Sequence, residues 1–158
     1  TSSGADEVSF VMSANAGEAL GPISRIASGG ELSRIMLALK NVFAEKDGVD
    51  ALIFDEIDTG VSGVAAQRVA EKLASLGRTK QVLCVTHLPQ IAAMAQQQYL
   101  VEKSERDGRT YTNIRLLDRE GRRYELARLS GGDRITDTQL AGAEELLARD
   151  EEFRASLS

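Results

Sequence analysis

Two apolar runs in the middle of the chain lack polar alternation. "ALIFDE" (Ala51–Glu56) and "QVLCVTH" (Gln81–His87) are short and end in acidic or polar residues, the pattern of buried strands. Helical spacing surrounds them. Leu32, Ile35, Met36, Leu39, Val42 and Phe43 recur at the period of a helix over roughly 29–46. "VSGVAAQRVAEKLASLG" reads as a second helix closed by Gly77. Pro89 opens a third, "PQIAAMAQQ". The order helix–strand–helix–strand–helix predicts an α/β fold with a parallel sheet core and flanking helices. Upstream, "EVSFVMSA" (Glu7–Ala14) partly alternates and predicts a strand, followed by the Gly/Pro loop "GEALGPIS". "DGVD" is a turn before the first apolar run. Downstream, "QYLVEKSE" and "RTYTNIRLL" predict an antiparallel β-hairpin around "RDG", and two helices follow near 121–130 and 137–149.

Composition narrows the function classes. A chain of 158 residues suits one domain, and 42% hydrophobic content suits a packed core. Aromatics are only 4% and Trp is absent, so base stacking is not the main activity. The net charge of −5 argues against a generally basic nucleic-acid binder. Residues 103–134 depart from this, with nine Lys/Arg against six Asp/Glu. A solvated hairpin with scattered charges explains that excess as well as a nucleic-acid patch does. The single cysteine, Cys84, forms no internal disulfide, which favours a reducing compartment. It reads as a small buried side chain rather than a reactive thiol. No apolar run reaches membrane-spanning length. The opening "TSSGADE" has no start methionine, consistent with a fragment or a processed product.

Three local patterns carry candidate chemistry. The first is "ASGGELSR". Ser28-x-x-Glu31 fits a capping box, a generic helix start. Gly29 and Gly30 also allow close backbone approach to a ligand, and a helix N-terminus attracts anions. The second is Asp55-Glu56 at the C-terminal end of an apolar strand, the edge where open α/β sheets bind ligands. Successive strand residues point to opposite sides, so the two carboxylates can do different jobs. Asp58 makes a third acid within four positions, and like charges so close call for a cation. The third is His87, the only histidine, which ends the next strand and so reaches the same sheet edge.

In that order and spacing the three patterns resemble the C-terminal lobe of an ABC-type ATPase head. Ser28-Gly29-Gly30-Glu31 matches the signature motif, and Ile53-Phe54-Asp55-Glu56 matches the Walker B strand. Asp58 falls in the D-loop and His87 at the switch histidine. The stretches "SGGELSRIMLALK" (28–40), "FDEIDTGVSG" (54–63) and "VTHLPQIAAMA" (85–95) are similar to the bacterial DNA-repair branch of this family, related to the SMC proteins. Ala27 and Glu31 replace the usual leucine and glutamine, as in that branch rather than in transporters. No G-x-x-x-x-G-K-[ST] occurs, so the Walker A loop that cradles phosphates is not in this sequence. In these families that loop lies in an N-terminal lobe, separated by a long coiled coil. A second SGG, in "LSGGD" at 129–133, stands after the histidine strand, out of family order. It reads as a glycine-terminated helix end, with a new helix starting around Thr136 or Asp137.

The resemblance implies a mechanism. Two heads would sandwich ATP, with Ser28, Gly29, Gly30 and Glu31 meeting the γ-phosphate held by the partner head. Asp55 would hold Mg²⁺ through water, and Glu56 would orient and deprotonate the attacking water. His87 would sense the γ-phosphate, and Asp58 would couple the two sites across the interface. The implied partners are the Walker A lobe of the same protein, a second head, and DNA, with no membrane. The implied location is the cytoplasm, at the nucleoid. Two other classes stay open at this point: the nucleotide-binding lobe of another SMC or ABC protein such as a transporter, and a non-catalytic interaction domain whose SGG turns are only caps.

Overall fold

The computed structural model describes the chain except residues 1–3, 7, 14–16, 18, 27, 45, 47, 133 and 158. The ends of the Glu7–Ala14 strand, the Ala27 substitution, and Asp47 of the "DGVD" turn lie outside the described residues. What remains of the N-terminal strand is a short pairing of β1 (Val11–Met12) with β2 (Gly21–Pro22), antiparallel, followed by one turn of helix, α1 (Ile23–Ile26).

The central pattern folds in the expected order: α2 (Gly29–Phe43), β3 (Ala51–Phe54), α3 (Gly63–Leu76), β4 (Gln81–Cys84) and α4 (Pro89–Met94). β3 and β4 pair in parallel, Ala51 opposite Gln81 and Phe54 opposite Cys84. Gly77 closes α3, its amide reaching the Leu73 carbonyl at 2.9 Å. Pro89 stands in the first turn of α4, where its missing N–H costs nothing.

The two strands are not buried on both faces, as continuous apolar runs predict. Leu52 and Phe54 turn inward with Val82 and Cys84, while Ile53 is 75% exposed, Leu83 48% and Val85 64%. Among the described residues, helices cover one side of this sheet. Leu37 of α2, Phe54, Ile57, Ala70, Leu73 and Leu76 of α3, and Ile91 and Met94 of α4 form the covered core. α2 shares the one-sidedness: Leu37 is buried, but Leu32, Met36, Val42 and Phe43 remain exposed.

The hairpin is present as β5 (Tyr99–Arg106) and β6 (Arg109–Leu116), joined through Asp107 and Gly108. Both turn residues have positive φ, 52° and 70°, the geometry that favours Asp-Gly in a two-residue hairpin turn. The final helices are longer than the periodicity indicates, α5 (Arg119–Gly131) and α6 (Asp137–Ser156). They form a second core in which Ala92 and Ala93 of α4 meet Leu126, Ala127, Ala143 and Leu147. Among the described residues no helix is long and apolar enough to cross a membrane.

Six-residue α4 therefore joins both cores, and arginines close its C-terminal end. Arg122 Nη2 donates to the Ala93 and Ala95 carbonyls at 3.0 and 2.8 Å. Arg154 Nη1 donates to those of Ala93 and Met94 at 3.2 and 3.0 Å. These carbonyls have no partner within so short a helix. Arg122→Met leaves the Ala93 carbonyl to Arg154 but takes the arginine from that of Ala95. It should cost about 1–3 kcal/mol, the penalty for stranding an acceptor, read from urea unfolding midpoints.

Asp150 of α6 is fully buried; its Oδ1 accepts from Gln67 Nε2 at 3.3 Å and from the Arg149 guanidinium at 3.1 Å. Oδ2 has no partner. Burial pushes its pKa above the usual aspartate value although Arg149 and Gln67 pull the other way. The folded state then binds a proton more tightly than the unfolded state. Its contribution is most favourable below the unfolded value near pH ~3.9 and is lost as pH rises through the folded one. Asp150→Asn should thus stabilise the chain at neutral pH and flatten that decline, checked by urea melts at mildly acidic and neutral pH.

Candidate functional site

The N-terminus of α2 is built by the capping box that the sequence indicates. Ser28 is extended, its Oγ accepts from the Glu31 amide at 3.3 Å, and its own amide donates to Glu31 Oε2 at 2.8 Å. The Ser28 amide, then its hydroxyl, hold the Glu31 carboxyl below its usual pKa. Glu31 is thereby committed to its own helix. Gly29 lies under the Glu56 carboxylate. Gly30 is buried, and a Cβ there would stand 2.9 Å from the Glu56 carbonyl, Thr59 Cβ and the Thr59 carbonyl. Gly30 is required by close packing within the chain, whatever else it meets, whereas at Gly29 only the end of the Glu56 side chain would have to move.

The surface they pack against is the segment that leaves β3. The strand ends at Phe54, before both acids, so strand alternation does not separate Asp55 from Glu56. A turn does. Glu56 takes a left-handed backbone, φ 57°, and its carbonyl accepts from the Thr59 amide at 3.0 Å. Such a conformation costs a non-glycine residue about 1–3 kcal/mol and persists where surroundings over-determine it. Here they do. Ser33 Oγ donates to the Asp55 carbonyl at 2.9 Å. Arg34 Nη1 donates to the carbonyls of Ile57 and Thr59 at 3.2 and 2.8 Å. Asp55 Oδ1 accepts from the Glu56 amide at 2.9 Å. Ile57 is fully buried in the core.

Asp58 points inward, 4% exposed. Its Oδ2 accepts from Thr86 Oγ1 at 2.7 Å and from the His87 amide at 2.9 Å, and His87 Nδ1 stands 3.0 Å from the same oxygen. Burial works to raise the Asp58 pKa, but the Thr86 hydroxyl and the His87 amide bind the carboxylate and leave it below the usual value. The acidic cluster is therefore relieved by hydrogen bonding of one member, while Asp55 and Glu56 stay exposed. Among the described residues no group of three His, Cys, Asp or Glu side chains converges to hold a metal ion. Cys84 packs against the core, and burial, with Asp58 and Asp55 adding to it, pushes its thiol up to about 12. It is a packing residue, not a nucleophile.

The Asp55–Thr59 turn thus touches Gly29 and Gly30 on one side and, through Asp58, His87 on the other. Arg34 and Thr86 escape a motif-level reading. Their signal is positional: Arg34 follows Gly30 by one helical turn on the same face, and Thr86 adjoins His87. The second SGG is elsewhere and does something else. Ser130 Oγ donates to the Leu126 carbonyl at 2.8 Å, and Gly132, φ 79°, ends α5 with its amide on the Arg128 carbonyl. A capping box of Thr136 and Gln139 then starts α6. Gly30→Ala should lose about 1–3 kcal/mol through overpacking. Gly142→Ala, in open space on α6, should gain up to about 1 kcal/mol from helix propensity. Paired urea melts check the opposite signs.

No protein-family model matches the chain. Individual relatives do. DNA repair protein RecN of Bacillus subtilis (strain 168) is 44% identical over 156 residues, 99% of this chain and 27% of its own length. That of Vibrio cholerae is 50% identical over 144 residues, 91% of this chain and 26% of its own. That of Deinococcus radiodurans is 50% identical over 147 residues, 92% and 25%. In fold, the chain resembles a solved structure from "Structural biochemistry of ATP-driven dimerization and DNA stimulated activation of SMC ATPases". The TM-score is 0.50 with 23% identity, over 75% of this chain and 71% of that one. The chain spans about a quarter of the length of the relatives it matches. Over nearly its whole length, it is a homologue of one segment of the DNA repair protein RecN.

Proposed function

We propose that this chain is the C-terminal half of the ATPase head of a RecN-like DNA repair protein, acting in ATP binding and hydrolysis when paired with a Walker A lobe. The observation that carries the reading is the strained Asp55-Glu56 turn at the C-terminal end of a parallel strand. It is packed against a glycine-opened helix start and tied to the lone histidine.

Each residue has a role that fits its geometry. Glu56 is exposed and held by a backbone it would not adopt alone, which suits a base that must face a water. Asp55 is a single exposed carboxylate, and Mg²⁺ commonly takes one carboxylate plus waters and substrate phosphate oxygens. The ion would supply charge neutralisation on the phosphates. Ser28 and the Gly29–Gly30 backbone, at the α2 N-terminus, would meet ATP held by a second head. His87 is exposed at its ring, open to a phosphate oxygen. Phosphoryl transfer asks mostly for positioning and charge stabilisation, and these groups supply both.

The bare face of β3 and β4 supports the missing-lobe part of the reading. Ile53, Leu83 and Val85, with Leu32 and Met36 of α2, leave an apolar surface that the rest of a longer protein would cover. On this reading the head pairs with a second head on ATP, serves DNA through the longer protein, and works in the cytoplasm at the nucleoid. The isolated chain, without Walker A, would turn over no ATP.

The test is to co-express the chain with its Walker A lobe and assay ATP hydrolysis with and without DNA. Glu56→Gln should keep nucleotide binding and slow hydrolysis by roughly two to four orders of magnitude, the scale of general-base loss. A normal rate would remove Glu56 from the role, and turnover by the isolated chain would remove the half-head reading.

A further inference from the structure

The D-loop resemblance gives Asp58 a role facing a second head, yet its carboxylate is buried and turned to its own chain's His87. We propose that Asp58 is a positioning residue that holds His87 in the Nδ1-protonated tautomer and presents Nε2 outward as the working nitrogen.

The argument is geometric. A carboxylate oxygen only accepts, and a bare ring nitrogen 3.0 Å from Asp58 Oδ2 would set lone pair against lone pair, so the hydrogen belongs on Nδ1 and in the neutral ring Nε2 is then bare. The same oxygen takes the His87 amide at 2.9 Å. Main chain and ring thus meet one buried atom, and an imidazole that swung away would give up its contact with that carboxylate. Thr86 extends the grip: its Oγ1 donates to Asp58 at 2.7 Å and accepts from the Leu88 amide at 3.0 Å, at the start of α4. Asp58 itself is anchored between Ile57, fully buried, and the Thr59 carbonyl that Arg34 holds. Yet the His87 side chain is 74% exposed, so the ring edge opposite Asp58 stays open. A carboxylate behind one ring nitrogen and an open second nitrogen is the arrangement by which proteins choose a histidine's tautomer and aim it. Toward a phosphate oxygen, Nε2 donates only when the ring holds both protons, and Asp58 is the counter-charge for that form. This last consequence rests on the ATPase reading above; the tautomer does not.

His87 is the only histidine, so the ring nitrogens of the uniformly ¹⁵N-labelled chain give one unambiguous set of signals. Long-range ¹H–¹⁵N spectra at about pH 8, above the ordinary histidine value, should show the Nδ1–H tautomer. This is opposite to the Nε2–H preference of free histidine. Wild type showing Nε2–H, or a free-histidine mixture, would overturn the proposal with no variant needed. Asp58→Ala should return the ring to the free-histidine mixture, and Thr86→Val should keep the wild-type tautomer. Retention in Asp58→Ala would also overturn it. In the full-length protein, Asp58→Asn should lower kcat about 10- to 100-fold with KM for ATP little changed, the scale of losing an orienting partner. An unchanged kcat would overturn the working role given to Nε2. No turnover even in wild type would fail the ATPase reading while leaving the tautomer result standing.

Discussion

The chain's path out of β3 depends on one buried carboxylate. Ile57 and Asp58 follow the strand directly into the interior, at 0% and 4% exposure. An ionised aspartate there is tolerable only with hydrogen bonds to its carboxylate. Its donors come from Thr86 and His87, 28 and 29 residues later in the sequence. The end of β4 is thereby drawn beside the end of β3, in addition to the parallel ladder between them. Leu88, the cap of α4, is fixed in the same network. The acids of the candidate site are thus arranged by division: one is buried to build the turn, and two are left facing outward.

The turn would not hold its left-handed Glu56 without α2. Ser33 and Arg34 bind three of its carbonyls, and the missing side chain at Gly30 lets the helix start come close enough for them to do so. A side chain at Gly30 would wedge the two apart. The helix start that resembles a trans phosphate contact is therefore also a strut for the carboxylate resembling the base in its own chain. Events at one are mechanically adjacent to the other.

α4 carries the same mechanical theme toward the C-terminus. Six residues are too few to be stable as an isolated helix. Buried Ile91–Met94, the Asp58–Thr86 network at one end and the two arginines at the other hold it in place. Because Arg122 and Arg154 belong to α5 and α6, the histidine segment is tied to the last quarter of the chain. The hairpin stands apart from both cores, its β6 residues exposed along their length.

Local physics was legible in the sequence. Helix spacing, Pro89 and Gly77 as boundaries, the Ser28–Glu31 capping box, the helix start near Thr136, the Asp-Gly hairpin turn and the glycine termination before that helix start depend on residues within a few positions of one another. The order of Ser28, Asp55-Glu56 and His87 was legible too, as was the homologous segment they mark. What needed the tertiary structure depends on distant groups. Periodicity cannot say that β3 and β4 keep one face bare, because an apolar strand looks the same whether its cover lies in this chain or beyond it. Strand alternation could not place Asp55 and Glu56, because the strand stops before them under the pull of Ile57 into the core. Nor could it show that the third acid answers to hydrogen bonds rather than to a cation. The donors that neutralise Asp58 come from the far side of a strand–helix–strand crossover, and only folding brings them within 3 Å.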